Sequence, residues 1–412
     1  FADGFIEAGQ VKAAYVVGFG GLIEAVSKMA FGNKLGVRLL DVEATSVAEL
    51  TAKHYGNIVV ETVPGSSLPF RHTEIGQVTA EPAIEVGGER IDLDQAIAAW
   101  QQPLEGVFPT RSSRKPGSAE PGPEVADFKE VYLCRHKTAR PHVFIPAFPG
   151  TNCEYDSARA FHRAGAESET LVFRNQNGQQ IRESVEAYAA AIRRSQIVMI
   201  PGGFSAGDEP EGSAKFITSV FRNGRIAEAV MELLNRRDGL MLGICNGFQA
   251  LVKLGLVPYG EIRPQADDAP TLTFNTIGRH QSKMAYTRVS SNLSPWLRRA
   301  RLGGTYVIPV SHGEGRFVAP QQWLDRLLAA GQVATQYCTP EGLPTMDEEY
   351  NMNGSLCAIE GITSPDGRVL GKMGHSERRS PGSALNIVGR HADGLFLDDD
   401  QQLFESGVAY FK

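Results

Sequence analysis

Cys245 stands in GICNGFQAL, Gly243–Leu251, with one glycine two residues before it and another two residues after. The apolar run before it predicts a buried strand, and the pattern after it predicts a helix. A strand-to-helix turn of this kind projects a nucleophile at the carboxyl edge of a sheet. The helix N-terminus beyond it favours a thiolate and offers N–H groups to an oxyanion. Catalysis and a buried structural thiol stand even on these five residues alone. A thiol nucleophile also needs a base, and the base needs an orienting acceptor. Two of the nine histidines stand near a carboxylate in a promising context, each two residues before a glutamate: His312 with Glu314 in PVSHGEGRF, and His375 with Glu377 in GKMGHSERR. Each follows a predicted strand, where a spacing of two puts both side chains on one face. Spacing does not choose between the pairs. PGGFSAGDEPEG, Pro201–Gly212, has consecutive glycines at a strand end, so its backbone N–H groups could complete an oxyanion hole.

The elements that must position these residues read as α/β. HVFIPA at His142–Ala147, QIVMIP at Gln196–Pro201 and LMLGI at Leu240–Ile244 are short apolar runs, each leading into a glycine-rich turn and a helical pattern. Such runs predict buried parallel strands with crossover helices. Residues 108–127, FPTRSSRKPGSAEPGPEVAD, lack an apolar period and read as a linker. They divide the chain into domains at 1–107 and 128–412. In the first, Ile58–Thr62 suits a strand, and Gly18–Gly21 enters a helix either as a phosphate loop or as a tight turn.

With 412 residues the chain has room for two or three domains, and 41 Lys+Arg against 47 Asp+Glu leave −6. That balance argues against nucleic acid as a partner, since a basic domain is expected there. Five cysteines form no disulfide framework and indicate a reducing, cytoplasmic setting. Cys134, Cys153, Cys338 and Cys357 show no metal-ligand spacing and read as core or incidental thiols, so no metal is expected. No apolar run reaches the ~18–20 residues of a membrane helix. The opening at Phe1, without Met, reads as entry into the middle of a larger unit.

Five motifs occur in one order: FPGTNCEYD (Phe148–Asp156), PGGFSAGDE, GICNGFQAL, VSHGEGRF and GHSERR. Together they resemble the glutaminase domain of the phosphoribosylformylglycinamidine synthase family, and VVGFGGLIEAVSKMAFGNKLGV resembles the carboxyl-terminal lobe of that family's synthetase domain. The resemblance implies a class I glutamine amidotransferase with a flavodoxin-like parallel sheet and helices on both faces, preceded by an α+β lobe. It implies the C-terminal part of a long single-chain enzyme. It implies Cys245 as nucleophile, His375 as base and Glu377 as its orienting partner, with Gly203 and Asn246 as oxyanion donors. Phe204, Gln249, His312 and Glu314 then fall to the glutamine pocket. Glutamine and the remaining synthetase domains are the implied partners. ATP, Mg²⁺ and formylglycinamide ribonucleotide belong to the complete synthase, and the glutaminase step needs no cofactor. Ser376 and Met352 stand where proline is expected. The rival readings are a stand-alone thiol amidase or γ-glutamyl hydrolase on the same fold, and a non-catalytic assembly module.

Overall fold

In the computed structural model, His142–Ala147, Ile197–Ile200 and Leu240–Ile244 are neighbouring strands, almost wholly buried. Their apolar side chains need cover on both faces, which parallel strands obtain from the helices that connect them. The structure describes residues 2–40, 46–113, 121–122, 124–207, 213–380 and 401–412. The chain forms two units, Phe1–Thr110 and Arg111–Lys412.

The larger unit is built on a nine-stranded sheet. Strands Glu167–Val172, His142–Ala147, Ile197–Ile200, Leu240–Ile244 and Val369–Lys372 run parallel in that spatial order. Beyond Val369–Lys372 the sheet continues antiparallel through Ile359–Thr363, Val333–Tyr337, Gln281–Val289 and Thr305–His312. The sheet is therefore mixed, where the resemblance led us to expect a parallel one: an antiparallel wing extends the doubly wound half and carries His312. Helices Glu154–Arg163, Gly178–Arg194 and Asn246–Leu254 follow their strands and pack against the parallel half. One cluster of buried apolar residues joins both halves and includes Cys245 and Phe248.

The turn into the Leu240–Ile244 strand is pinned by Asp238. Its buried carboxylate accepts from Tyr132 Oη at 2.8 Å and from Arg135 N, Nε and Nη2 at 2.9, 2.9 and 2.7 Å. The connecting segment reaches into this unit, since Ser112 N donates to Glu348 at 2.8 Å and Ala126 bridges to Ser291.

The smaller unit is α+β. Val11–Val16 pairs antiparallel with Ile58–Thr62, and a second sheet has the order Gly76–Thr79, Gly36–Leu39, Ala83–Val86, Glu89–Asp92. Helices Gly21–Asn33 and Leu93–Glu105 complete it. At the glycine turn before the first of these, Gly20 N donates to Glu24 Oε2 at 2.6 Å. That carboxylate caps the Gly20 N–H at the start of the helix, as a tight turn at helix entry does. No helix among the described residues is long and apolar enough to cross a membrane.

Candidate active site

Cys245 lies between strand Leu240–Ile244 and helix Asn246–Leu254, at φ 52° and ψ −106°. A non-glycine residue held there stores strain, as the nucleophile elbow requires. Gly247 makes the turn possible, because a Cβ on it would fall 2.0 Å from Ile200 O. Cys245 N donates to Lys372 O at 2.9 Å, which ties the elbow to the adjoining strand. The Cys245 side chain is almost buried, and its Sγ lies 3.7 Å from Ser311 O.

The structure separates the two histidine pairs that spacing left equal. His375 lies past the end of strand Val369–Lys372, leading into the short 3-10 turn Ser376–Arg378. The turn, rather than strand alternation, brings Glu377 Oε1 to 2.6 Å from His375 Nδ1, with both side chains buried. Burial opposes the charged imidazole, but the Glu377 carboxylate outweighs it, aided by hydrogen bonds with the Cys153 and Cys245 thiols. His375 is thereby held charged well above the ordinary histidine range. His312 does end a strand, yet its imidazole has no hydrogen bond to Glu314, whose carboxylate is bonded to Ser213 instead. Among the described residues, neither ring nitrogen of the buried His312 has a hydrogen-bond partner. Burial first, then the charges of His375 and His280, push it down to about 3.

The expected pocket residues form a second group. The carboxylate of Glu314 accepts from the hydroxyl of Ser213 and from its N–H at 3.3 Å. Gln249 donates to Glu314 O, and Gln249 Oε1 accepts from Asn246 Nδ2 at 3.0 Å. Asn246 Oδ1 accepts from Ser205 N at 3.3 Å, so this chain of bonds joins the elbow to the loop after Ile200. Gly203 belongs to that loop and bridges to Thr151, while Phe204 is half exposed, its ring 6.2 Å from that of His280. Residues 208–212 of the loop lie outside the described residues. Met352 is buried within NMNGS, whose Asn353 Nδ2 donates to Gly315 O at 2.7 Å and so braces the His312 loop.

Cys153 was not foreseen. It reads as incidental in sequence, but its Sγ lies 3.7 Å from His375 Nδ1, accepts from Arg378 Nη2 at 3.3 Å and donates to Asn152 Oδ1 at 3.0 Å. The expectation failed because the contact joins residues 222 positions apart. Its only sequence signal was membership of the FPGTNCEYD motif. Cys153, His375 and Glu377 place one ligand atom each within 4.8 Å of one another, the geometry a metal would need among the described residues. The Arg378 guanidinium against the sulfur and the Glu377 bond on Nδ1 oppose a cation there. Gly202 packs against the same centre: a Cβ on it would meet His375 Cε1 at 2.8 Å and Cys245 Cβ at 3.5 Å.

Residues 140–411 match the CobB/CobQ-like glutamine amidotransferase domain model. A phosphoribosylformylglycinamidine synthase subunit PurQ from Methanococcus maripaludis is 31% identical over 286 residues, covering 66% of this chain and 97% of that protein. The subunit of the same name from Symbiobacterium thermophilum is 37% identical over 253 residues, 61% of this chain and 92% of its own. A solved structure of PurLQS from Thermotoga maritima aligns at 23% identity with a TM-score of 0.46, over 66% of this chain and 100% of that one. The chain belongs to the CobB/CobQ-like glutamine amidotransferase family, as a glutaminase part of phosphoribosylformylglycinamidine synthase.

Proposed function

We propose that Cys245, His375 and Glu377 hydrolyse glutamine through a γ-glutamyl thioester and release ammonia for a synthetase partner. One observation carries this reading: a strained elbow cysteine shares a buried hydrogen-bonded centre with a histidine whose Nδ1 is held by a glutamate. The Cys245 thiolate attacks the side-chain carboxamide carbon of glutamine. Backbone N–H groups of Gly203 and Asn246 receive the oxyanion, worth about 3–4 kcal/mol per donor in comparable sites. His375 gives its proton to the departing ammonia, then takes one from the water that cleaves the thioester. Glu377 keeps the imidazole in the productive tautomer. Phe204, Gln249, His312 and Glu314 shape the glutamine pocket, the last three from behind through their bonds and packing.

Residues 1–107 belong to a synthetase-like lobe, residues 108–127 connect it, and 128–412 is the glutaminase. ATP, Mg²⁺ and formylglycinamide ribonucleotide belong to the synthetase side, and no glutaminase step runs through them. The setting is cytoplasmic, in keeping with five unpaired cysteines. Ammonia release from glutamine tests the assignment across Cys245→Ala, His375→Ala and His312→Ala. The first two should lose it; loss confined to His312→Ala would assign the base to the wrong histidine.

A further inference from the structure

Lys372 and Glu360 sit on adjacent antiparallel strands with both side chains fully excluded from solvent, Nζ to Oε1 3.4 Å. A buried ion pair is a poor source of stability, because desolvation offsets the attraction. Its other bonds converge on one short segment. Lys372 Nζ donates to Ser376 Oγ at 2.9 Å and to Gly374 O at 3.3 Å. Glu360 Oε1 accepts from Gly374 N at 2.6 Å, and Glu360 Oε2 accepts from the Thr335 hydroxyl. Ser376 Oγ donates in turn to Gln401 Oε1 at 3.1 Å. The residues on both sides of His375 are thus clamped, and His375 N itself donates to Pro309 O at 2.8 Å.

We propose that the Lys372–Glu360 pair is a positioning device that fixes the His375 backbone, and hence the imidazole, against Cys245. The proposal rests on the triad reading above. Neither residue touches the reacting atoms; Lys372 acts through Gly374 and Ser376, and Glu360 through Gly374. Proline at 376 would restrict the turn through its ring. Ser376 leaves φ free, and its hydroxyl gives the ion pair a handle that proline lacks.

The test uses the full chain with Lys372→Met/Glu360→Met, which removes both charges together so that neither is stranded, and separately Ser376→Ala. Two readings are taken, glutamine hydrolysis and the pH profile of iodoacetamide alkylation at Cys245. The double variant should keep its Tm within a few degrees and its KM. Its kcat should fall about tenfold to a hundredfold, the cost of misplacing a reacting group by up to 1 Å. The alkylation midpoint should move to higher pH as the imidazolium leaves the sulfur, with Ser376→Ala moving it less in the same direction. A folded double variant with wild-type kcat and midpoint overturns the proposal. If the double variant does not fold, an unmoved midpoint in Ser376→Ala overturns it. A His375→Ala chain that keeps the wild-type midpoint sinks the triad reading itself, which separates the two failures.

Discussion

Gly202→Ala places one methyl group against Cys245 and His375, the pair proposed above to react. Gly202 has no positive φ, so alanine fits the backbone there and the consequence is steric. The new Cβ would lie 2.8 Å from His375 Cε1, 3.1 Å from Cys153 Sγ and 3.5 Å from Cys245 Cβ. Carbon atoms in contact prefer about 3.5–4.0 Å, so the imidazole must retreat by roughly 0.7–1.2 Å or the loop must move by as much. The ring cannot give cheaply, because Nδ1 is bound to Glu377 at 2.6 Å and the backbone N to Pro309 O at 2.8 Å. Overpacking of this kind costs about 1–3 kcal/mol of stability. A displacement near 1 Å at a reacting group costs about a hundredfold in rate. Steady-state glutamine hydrolysis by the folded variant should therefore show kcat down about a hundredfold with KM little changed, a split expected when only the chemical step is disturbed. A variant with kcat within about threefold of wild type and an unchanged Tm would show that His375 is not the crowded neighbour of Cys245 described here.

Glu377→Gln keeps the shape of the orienting group and removes its charge. Glutamine hydrolysis should drop at least a hundredfold or so, the usual worth of a positioned acid–base group. Because His375 is raised in the fold, its stabilising contribution is full below the unfolded value of about 6.5 and fades as pH rises through the folded value. Urea unfolding of Glu377→Gln should lack that alkaline loss, and a parallel wild-type curve would contradict the pairing. His312 behaves oppositely: depressed to about 3, it favours the unfolded state as pH falls from about 6.5. Between pH 7 and 5 this amounts to about 2 kcal/mol. His312→Leu should show an acid limb shallower by that amount, and equal limbs would refute the buried neutral ring. Asp238→Ala strands the donors of Tyr132 and Arg135 and should cost about 2 kcal/mol in thermal unfolding; an unchanged Tm would dismiss the clasp.

Three strands of the parallel half were legible because His142–Ala147, Gln196–Pro201 and Leu240–Ile244 are short apolar runs leading into glycine-rich turns, the mark of strands covered on both faces, whereas Glu167–Val172 alternates with polar residues and was not read. The antiparallel wing was not: QSKMAYTRV at Gln281–Val289 mixes polar and apolar residues without a clean period, and its partners are set by non-local pairing. The cysteine elbow could be read from two glycines and a strand end. Spacing could not choose the histidine, since both pairs have the same spacing and differ only in where the strand stops; only the resemblance implied His375. Cys153 and Glu360 reach the base loop from distant parts of the chain, and no local pattern announces such contacts. At Gly18–Gly21 the partner of the Gly20 N–H is Glu24, four positions on.

The central claim is that Cys245, and not the equally buried thiol of Cys153 beside the same histidine, is the nucleophile. An electrophilic glutamine analogue, added to the full chain and followed by peptide mass spectrometry, puts the two thiols in direct competition. The account predicts one adduct per chain on the Cys245 peptide, blocked by excess glutamine and absent in His375→Ala. An adduct on Cys153, or labelling of Cys245 that glutamine does not protect against, would contradict it.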